Sequence, residues 1–168
     1  MWFAGAMGHA TGLLLAAGSG SRMGRPKALV LGHDGEPWVV RAARALHEGG
    51  CAEVVVVVGA QAEEASGAVE GLPWVTVVAA HDWAEGMGPS LATGLGALAG
   101  RDTDCAVIGL VDTPDVGAAV VSHVREHWAA VVRTATGDRG ARAYLAAHPP
   151  LLVECGDLAT GADIDVAP

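Results

Sequence analysis

Metal-binding and redox cysteine motifs are missing from this chain. Its three cysteines, Cys51, Cys105 and Cys155, lie far apart and form no Cys-x-x-Cys, so neither a disulfide framework nor a zinc site is indicated, and a reducing cytoplasm is the expected compartment. Basic residues are scarce as well. Ten Lys and Arg stand against nineteen Asp and Glu, a net charge of −9, which argues against a general nucleic-acid surface. The seven histidines form no His-x-x-x-His or triad-like grouping, so zinc and serine-hydrolase chemistry have no support. No apolar run has the length of a membrane span, and no membrane partner is expected. The hydrophobic runs are strand-length and broken by glycines, as a buried parallel sheet requires. At 168 residues the chain suits one domain with a full core. Residues 1–10, opening on the short apolar Met1-Trp-Phe-Ala-Gly-Ala-Met-Gly8, are expected to be a tag remnant or disordered start, and residues 11–168 the domain.

What is present is concentrated in Leu13-Leu-Leu-Ala-Ala-Gly-Ser-Gly-Ser-Arg-Met-Gly-Arg-Pro-Lys27, an apolar strand entering a glycine-rich loop with three cations. Gly18, Gly20 and Gly24 are expected to admit positive φ and bring backbone N–H groups close to an anion. Arg22, Arg25 and Lys27 supply countercharge, with Arg25 equally readable as a solvated residue. The spacing Gly-x-Gly-x-x-x-Gly misses the dinucleotide fingerprint by one residue, and no Lys followed by Ser or Thr completes a Walker loop. The next strand ends in Gly59-Ala60-Gln61, without the acid that a dinucleotide site places on a ribose.

Hydrophobic patterning predicts strands at Thr11–Ala16, Glu53–Gly59, Val75–Ala80 and Cys105–Val111. Helices are expected from Pro37 to His47, ended by Gly49-Gly50, from Gln61 to Val69, and from a Ser90 cap through Leu98. Beyond Val116 the pattern is less regular: helices at Val120–Val132 and Gly140–His148 and a short strand at Leu151–Glu154 are the expectation. Sites in such α/β sheets lie at the carboxyl ends of the strands, which gathers the Gly18 loop, Gly86–Ser90 and Asp112 on one edge.

The run Leu-Ala-Ala-Gly-x-Gly-x-Arg-Met-Gly-x-Pro-Lys resembles the signature loop of the nucleotidyltransferases that act on molybdopterin, and most closely the CTP:molybdopterin cytidylyltransferase branch of the MobA-like family. The guanylyltransferase branch usually has Ala-Gly-Gly in place of Ala16-Ala17-Gly18, and an Asp before the lysine where this chain has Pro26. Further matching pieces are His81-Asp-Trp-Ala-Glu-Gly-Met-Gly-Pro-Ser-Leu91, Val111-Asp-Thr-Pro114, Gly137-Asp-Arg-Gly-Ala-Arg142 and Asp163-Ile-Asp165. There are departures too. Pro89 stands where relatives often have a small polar residue, Thr113 where cytidylyltransferases often have Gln, and a Gly-His-Pro stretch is absent before Arg125-Glu-His-Trp128. Either that stretch is deleted, or a loop is missing from the numbering near 124–125; the second is the expectation.

The resemblance implies a Rossmann-like three-layer α/β sandwich with a mostly parallel sheet, of the nucleotide-diphospho-sugar transferase type. It implies transfer of CMP from CTP to molybdopterin with release of pyrophosphate, and a molybdenum hydroxylase or its maturation chaperone as partner. Arg22 and Lys27 would sit against the β- and γ-phosphates. Leu15, Ala16, Ala17, Gly18 and Gly20 would approach the nucleotide, and Gly86, Met87, Gly88 and Ser90 the base or ribose, although Ser90 reads equally as an ordinary cap. Asp112 either starts a turn or holds Mg²⁺, with Asp165, less readily Asp163, as second ligand. Two other readings share these residues: an NADPH-dependent reductase of nicotine-derived pigment on the same scaffold, and a nucleotide-binding module without turnover.

Overall fold

The computed structural model of the chain describes residues 8–127 and 152–165. Four parallel strands, β1 (Ala10–Ala16), β2 (Glu53–Val58), β3 (Val75–Ala79) and β4 (Cys105–Leu110), form one sheet in the order β3-β2-β1-β4. Helices α1 (Trp38–Glu48), α2 (Ala62–Val69) and α3 (Met87–Leu98) make the three crossovers, and α4 (Ala118–His127) follows β4.

The two central strands are apolar because both of their faces are covered. Along β1 and β2 the side chains alternate between two cores: Leu14, Ala16, Val54, Val56 and Val58 pack with α1, α2 and Val121 of α4, whereas Leu13, Leu15, Val55 and Val57 pack with Leu98 of α3. The result is a three-layer sandwich. Close approach of α3 to the sheet depends on Gly94, where a Cβ would lie 2.5 Å from a Leu13 methyl and 2.8 Å from one of Val57.

Chain order reverses at β1. The path runs outward from β1 through β2 to β3, then returns by α3 to place β4 on the other side of β1. Connections leaving the carboxyl ends of β1 and β4 therefore diverge and open a crevice between them.

Several sequence expectations are corrected. Ser90 is not a helix cap: α3 begins at Met87 behind Gly86, whose φ of 121° makes the entry, and Ser90 is buried in the first turn. Residues 152–154 carry no strand. The Val124–Arg125 junction falls inside α4, and the expected loop missing from the numbering there stands as a proposal. The Arg125 guanidinium is buried there and donates from Nη1 to the Gly49 carbonyl at the end of α1, 3.1 Å away, satisfying one of the acceptors a helix terminus leaves open. Residues 1–7, the expected helix at 140–148, the 128–132 end of its predecessor and the 137–142 motif lie outside the described residues. No helix among those described is long and apolar enough to cross a membrane.

Candidate active site

The loop after β1 forms one wall of the crevice. Gly20 has φ 59°, and a Cβ there would stand 2.0 Å from the Arg25 carbonyl oxygen; only glycine lets the turn fold back on itself. The Met23 N–H donates to the Gly20 carbonyl at 2.8 Å and closes the turn. Gly24 also has positive φ, whereas Gly18 does not; Gly18 instead leaves open space beside the cleft. Pro26 is buried and a single 3-10 turn, Lys27–Leu29, follows, which sets the backbone of Lys27 at the base of the loop.

A cleft of about 340 Å³ lies between this loop, the end of β4 and the start of α3. Of the residues singled out in the sequence, Leu15, Ala17, Gly18, Gly20, Lys27, Gly86, Met87, Ser90 and Asp112 line it. Ala16 and Gly88 do not. Ala16 faces the opposite core because neighbouring strand residues point to opposite faces, and Gly88 sits on the exposed side of the first turn of α3. Arg25 is exposed and outside the cleft, its role in the loop being the carbonyl that meets Gly20.

Trp83 also lines the cleft; it lies within the matching piece His81–Leu91 but is not among the residues expected to meet nucleotide. Its Cβ and Cγ occupy the space above Gly59, where a Cβ would be 2.6 Å from both, so the glycine after β2 makes room for the indole at the cleft wall. The place of Trp83 in that matching piece, with Gly59 directly after β2, is the signal available in the sequence.

The opposite wall is electrostatic. Lys27 Nζ donates to Asp112 Oδ2 at 2.9 Å and to Asp165 Oδ1 at 2.7 Å, while Arg22 Nη1 donates to Asp165 Oδ2 at 2.5 Å. Burial alone would depress the Lys27 pKa, but its hydrogen bonds and attraction to the two carboxylates outweigh that and raise it above the ordinary 10.5. Asp165 moves the other way. The hydrogen bond and positive charge of Lys27, then Arg22, hold it below the ordinary 3.8.

The C-terminal segment is stitched over this wall. The Ile164 N–H donates to the Asp112 carbonyl at 2.9 Å, and Thr160 donates to the Asp115 carboxylate from its N–H at 2.8 Å and its hydroxyl at 2.5 Å. These bonds lower the Asp115 pKa. The role of Asp115 is thus structural, since it ties down the segment that delivers Asp163 and Asp165.

Asp112, Asp163 and Asp165 each offer a carboxylate oxygen, and those oxygens lie within 4.8 Å of one another. All-oxygen donors suit a hard divalent cation, and the Lys27 ammonium is held between two of the three acids. The donor set fits Mg²⁺ or Mn²⁺, with Asp163 joining Asp112 and Asp165.

A cation-bearing glycine loop at the switch point of a parallel sheet, facing clustered carboxylates, is an arrangement that nucleotide sites on α/β domains use. The chain belongs to the MobA-like NTP transferase domain family, which it matches over residues 12–162. It is 37% identical over 190 residues to a nicotine blue oxidoreductase of Paenarthrobacter nicotinovorans, covering 92% of this chain and 91% of that protein. That alignment is longer than this chain, so the relative holds residues without a counterpart here. Among solved structures, a nucleotidyl transferase from Methanothermobacter is 29% identical with a TM-score of 0.61, covering 71% of this chain and 57% of that one. Rv0371c of Mycobacterium tuberculosis is 26% identical with a TM-score of 0.61, covering 75% and 63%, and has also been solved in complex with manganese. The chain thus spans somewhat less than two thirds of either solved structure.

Proposed function

We propose that the protein is a nucleotidyltransferase that moves CMP from CTP to the phosphate of molybdopterin, releasing pyrophosphate, in molybdenum cofactor maturation. The observation that carries this reading is Lys27 placed between the glycine loop and the Asp112–Asp165 carboxylates at the β1–β4 crevice. An acceptor phosphate is already anionic, so the reaction needs no general base and rests on in-line positioning and charge stabilisation. The loop, Arg22 and Lys27 hold the triphosphate and neutralise the departing pyrophosphate. Asp112 and Asp165, with Asp163, would hold Mg²⁺, which when bound supplies charge stabilisation at the α-phosphate. Trp83, Met87 and Ser90 line the part of the cleft left for base and ribose.

Preference for CTP over GTP follows from Ala17, buried at the cleft wall with its carbonyl engaged by the Ala60 N–H at 3.0 Å; its methyl crowds a purine. The expected discrimination is about 1–3 kcal/mol, and competition binding at equal Mg²⁺ tests it, with equal or tighter GTP binding rejecting the assignment.

The likeness to nicotine blue oxidoreductase favours one second reading, NADPH-dependent reduction on the same scaffold. In that reading Arg22 and Lys27 would meet the cofactor's phosphates, the acid missing after β2 being unnecessary where a ribose carries a phosphate. Oxidation of NADPH with a dye acceptor, without metal and unaffected by Asp112→Asn, would replace the transferase reading.

A further inference from the structure

The Lys27 side chain borders two spaces at once. It lines the cleft between loop and β4 together with Asp112, and also a smaller recess of about 280 Å³ formed by Gly18 to Arg22 and Asp165. Its ammonium is shared between Asp112 and Asp165, and Arg22 takes the remaining oxygen of Asp165. A divalent cation held by the same two carboxylates would sit about 2.0–2.6 Å from their oxygens. Nζ lies 2.9 Å and 2.7 Å from one oxygen of each of those groups, so a metal on the same oxygens would have to displace the ammonium.

We propose that Lys27 is an internal counter-ion that occupies the acidic cluster until a polyphosphate draws it away, so that divalent cation and nucleotide enter the site as a coupled pair. The inference rests on reading the cluster as a metal-dependent nucleotide site, and is independent of the acceptor. Three features make the exchange feasible. The four-carbon Lys27 side chain is flexible and already borders the recess formed by the glycine loop, so its partners change without backbone movement. Polyphosphate offers Lys27 and Arg22 anionic oxygens of equal or greater charge density than the carboxylates they leave. Asp163, the third acid of the cluster, has no part in the ion pairs with Lys27 and Arg22 among the described residues, so the cluster keeps an acceptor for metal throughout. Coupling of this kind is reciprocal: whatever metal gains from nucleotide, nucleotide gains from metal. The resting protein would in turn hold divalent ions weakly, which keeps a negatively charged cleft available to a Mg-nucleotide rather than filled by free metal.

The experiment is Mn²⁺ titration of the nucleotide-free protein followed by electron paramagnetic resonance, on wild type, Lys27→Met, and Lys27→Met combined with Asp165→Asn. Methionine keeps the apolar stem and removes the charge. The expected result is weak binding by wild type, at least tenfold tighter binding by Lys27→Met, and loss of that gain in the double variant. Equal or weaker Mn²⁺ binding by Lys27→Met, with a circular dichroism spectrum matching wild type, overturns the proposal, as does a gain that survives Asp165→Asn. Label transfer from CTP on wild-type protein is scored separately: tighter Mn²⁺ binding by Lys27→Met without any transfer by wild type would keep the counter-ion role and remove the transferase reading.

Discussion

Replacing Gly20 by alanine separates backbone strain from steric collision in the loop, because a control with the same strain lies four residues away. Both Gly20 and Gly24 have positive φ, 59° and 71°, and an alanine in that region costs on the order of 1–2 kcal/mol at either position. Their surroundings differ. At Gly24 a Cβ meets nothing within 4 Å, while at Gly20 it falls 2.0 Å from the Arg25 carbonyl oxygen and 3.2 Å from the Lys27 nitrogen. No side-chain adjustment relieves a collision with backbone, so Gly20→Ala must open the turn between Gly20 and Arg25 and displace Lys27. Gly24→Ala is expected to lose about 1–2 kcal/mol of stability and keep nucleotide affinity within a few-fold. Gly20→Ala should lose nucleotide affinity by roughly tenfold or more, a cost of about 1.4 kcal/mol, beyond any change in stability. Trp83 at the cleft wall makes quenching of tryptophan fluorescence by CTP a direct assay, with denaturant unfolding run in parallel. Equal effects of the two substitutions on CTP binding would refute the claim that the loop's form, fixed by Gly20, presents Lys27 to the cleft.

Thiol labelling in the native state should modify Cys155 first, because Cys51 and Cys105 are buried and desolvation pushes the Cys51 thiol up to about 11; rapid labelling of all three without denaturant would contradict the fold. Arg125→Ala should destabilise by about 1–3 kcal/mol, as it leaves a cavity and an unmet carbonyl at the end of α1, read as a shift in the denaturant midpoint. The C-terminal stitch has a pH window set by its pKa shifts. Asp165 and Asp115 are lowered from 3.8, so their contribution is present above that value and lost as pH falls through the lowered ones; Lys27 is raised from 10.5, so its contribution is present below 10.5 and lost as pH rises beyond. Protection of residues 152–165 from hydrogen exchange, referred to the intrinsic rates, should therefore hold steady between these limits, and Asp115→Ala should reduce it throughout.

Much of this architecture is legible in the sequence because the central strands are buried on both sides. The valine run of β2 and the leucines of β1 admit few other readings, and the Gly18–Lys27 loop carries its own geometry in Gly20 and its own charge in Lys27. Contacts distant in sequence are not legible. Nothing local marks Asp115 as the acceptor of Thr160, or Arg125 as the group that closes α1, since both depend on where tertiary packing brings a residue many positions away. Ser90 misleads for a related reason: Ser is a common cap, yet the positive φ available to Gly86 lets α3 start earlier and turns Ser90 inward. Asp163 ranks below Asp165 when the motif is read by itself, whereas the stitched C-terminal segment brings both to Asp112.

Lys27, Asp112 and Asp165 are proposed to form a metal-dependent site for transfer of a nucleotidyl group. The most direct measurement is the fate of label from α-³²P CTP incubated with molybdopterin and Mg²⁺, comparing wild type with Asp112→Asn. Label should appear in a dinucleotide product matched by released pyrophosphate, require the metal, and fall by roughly 10²-fold or more in Asp112→Asn while CTP still binds. No label in the product under conditions where CTP binds, or transfer that proceeds equally without metal and in Asp112→Asn, would contradict it.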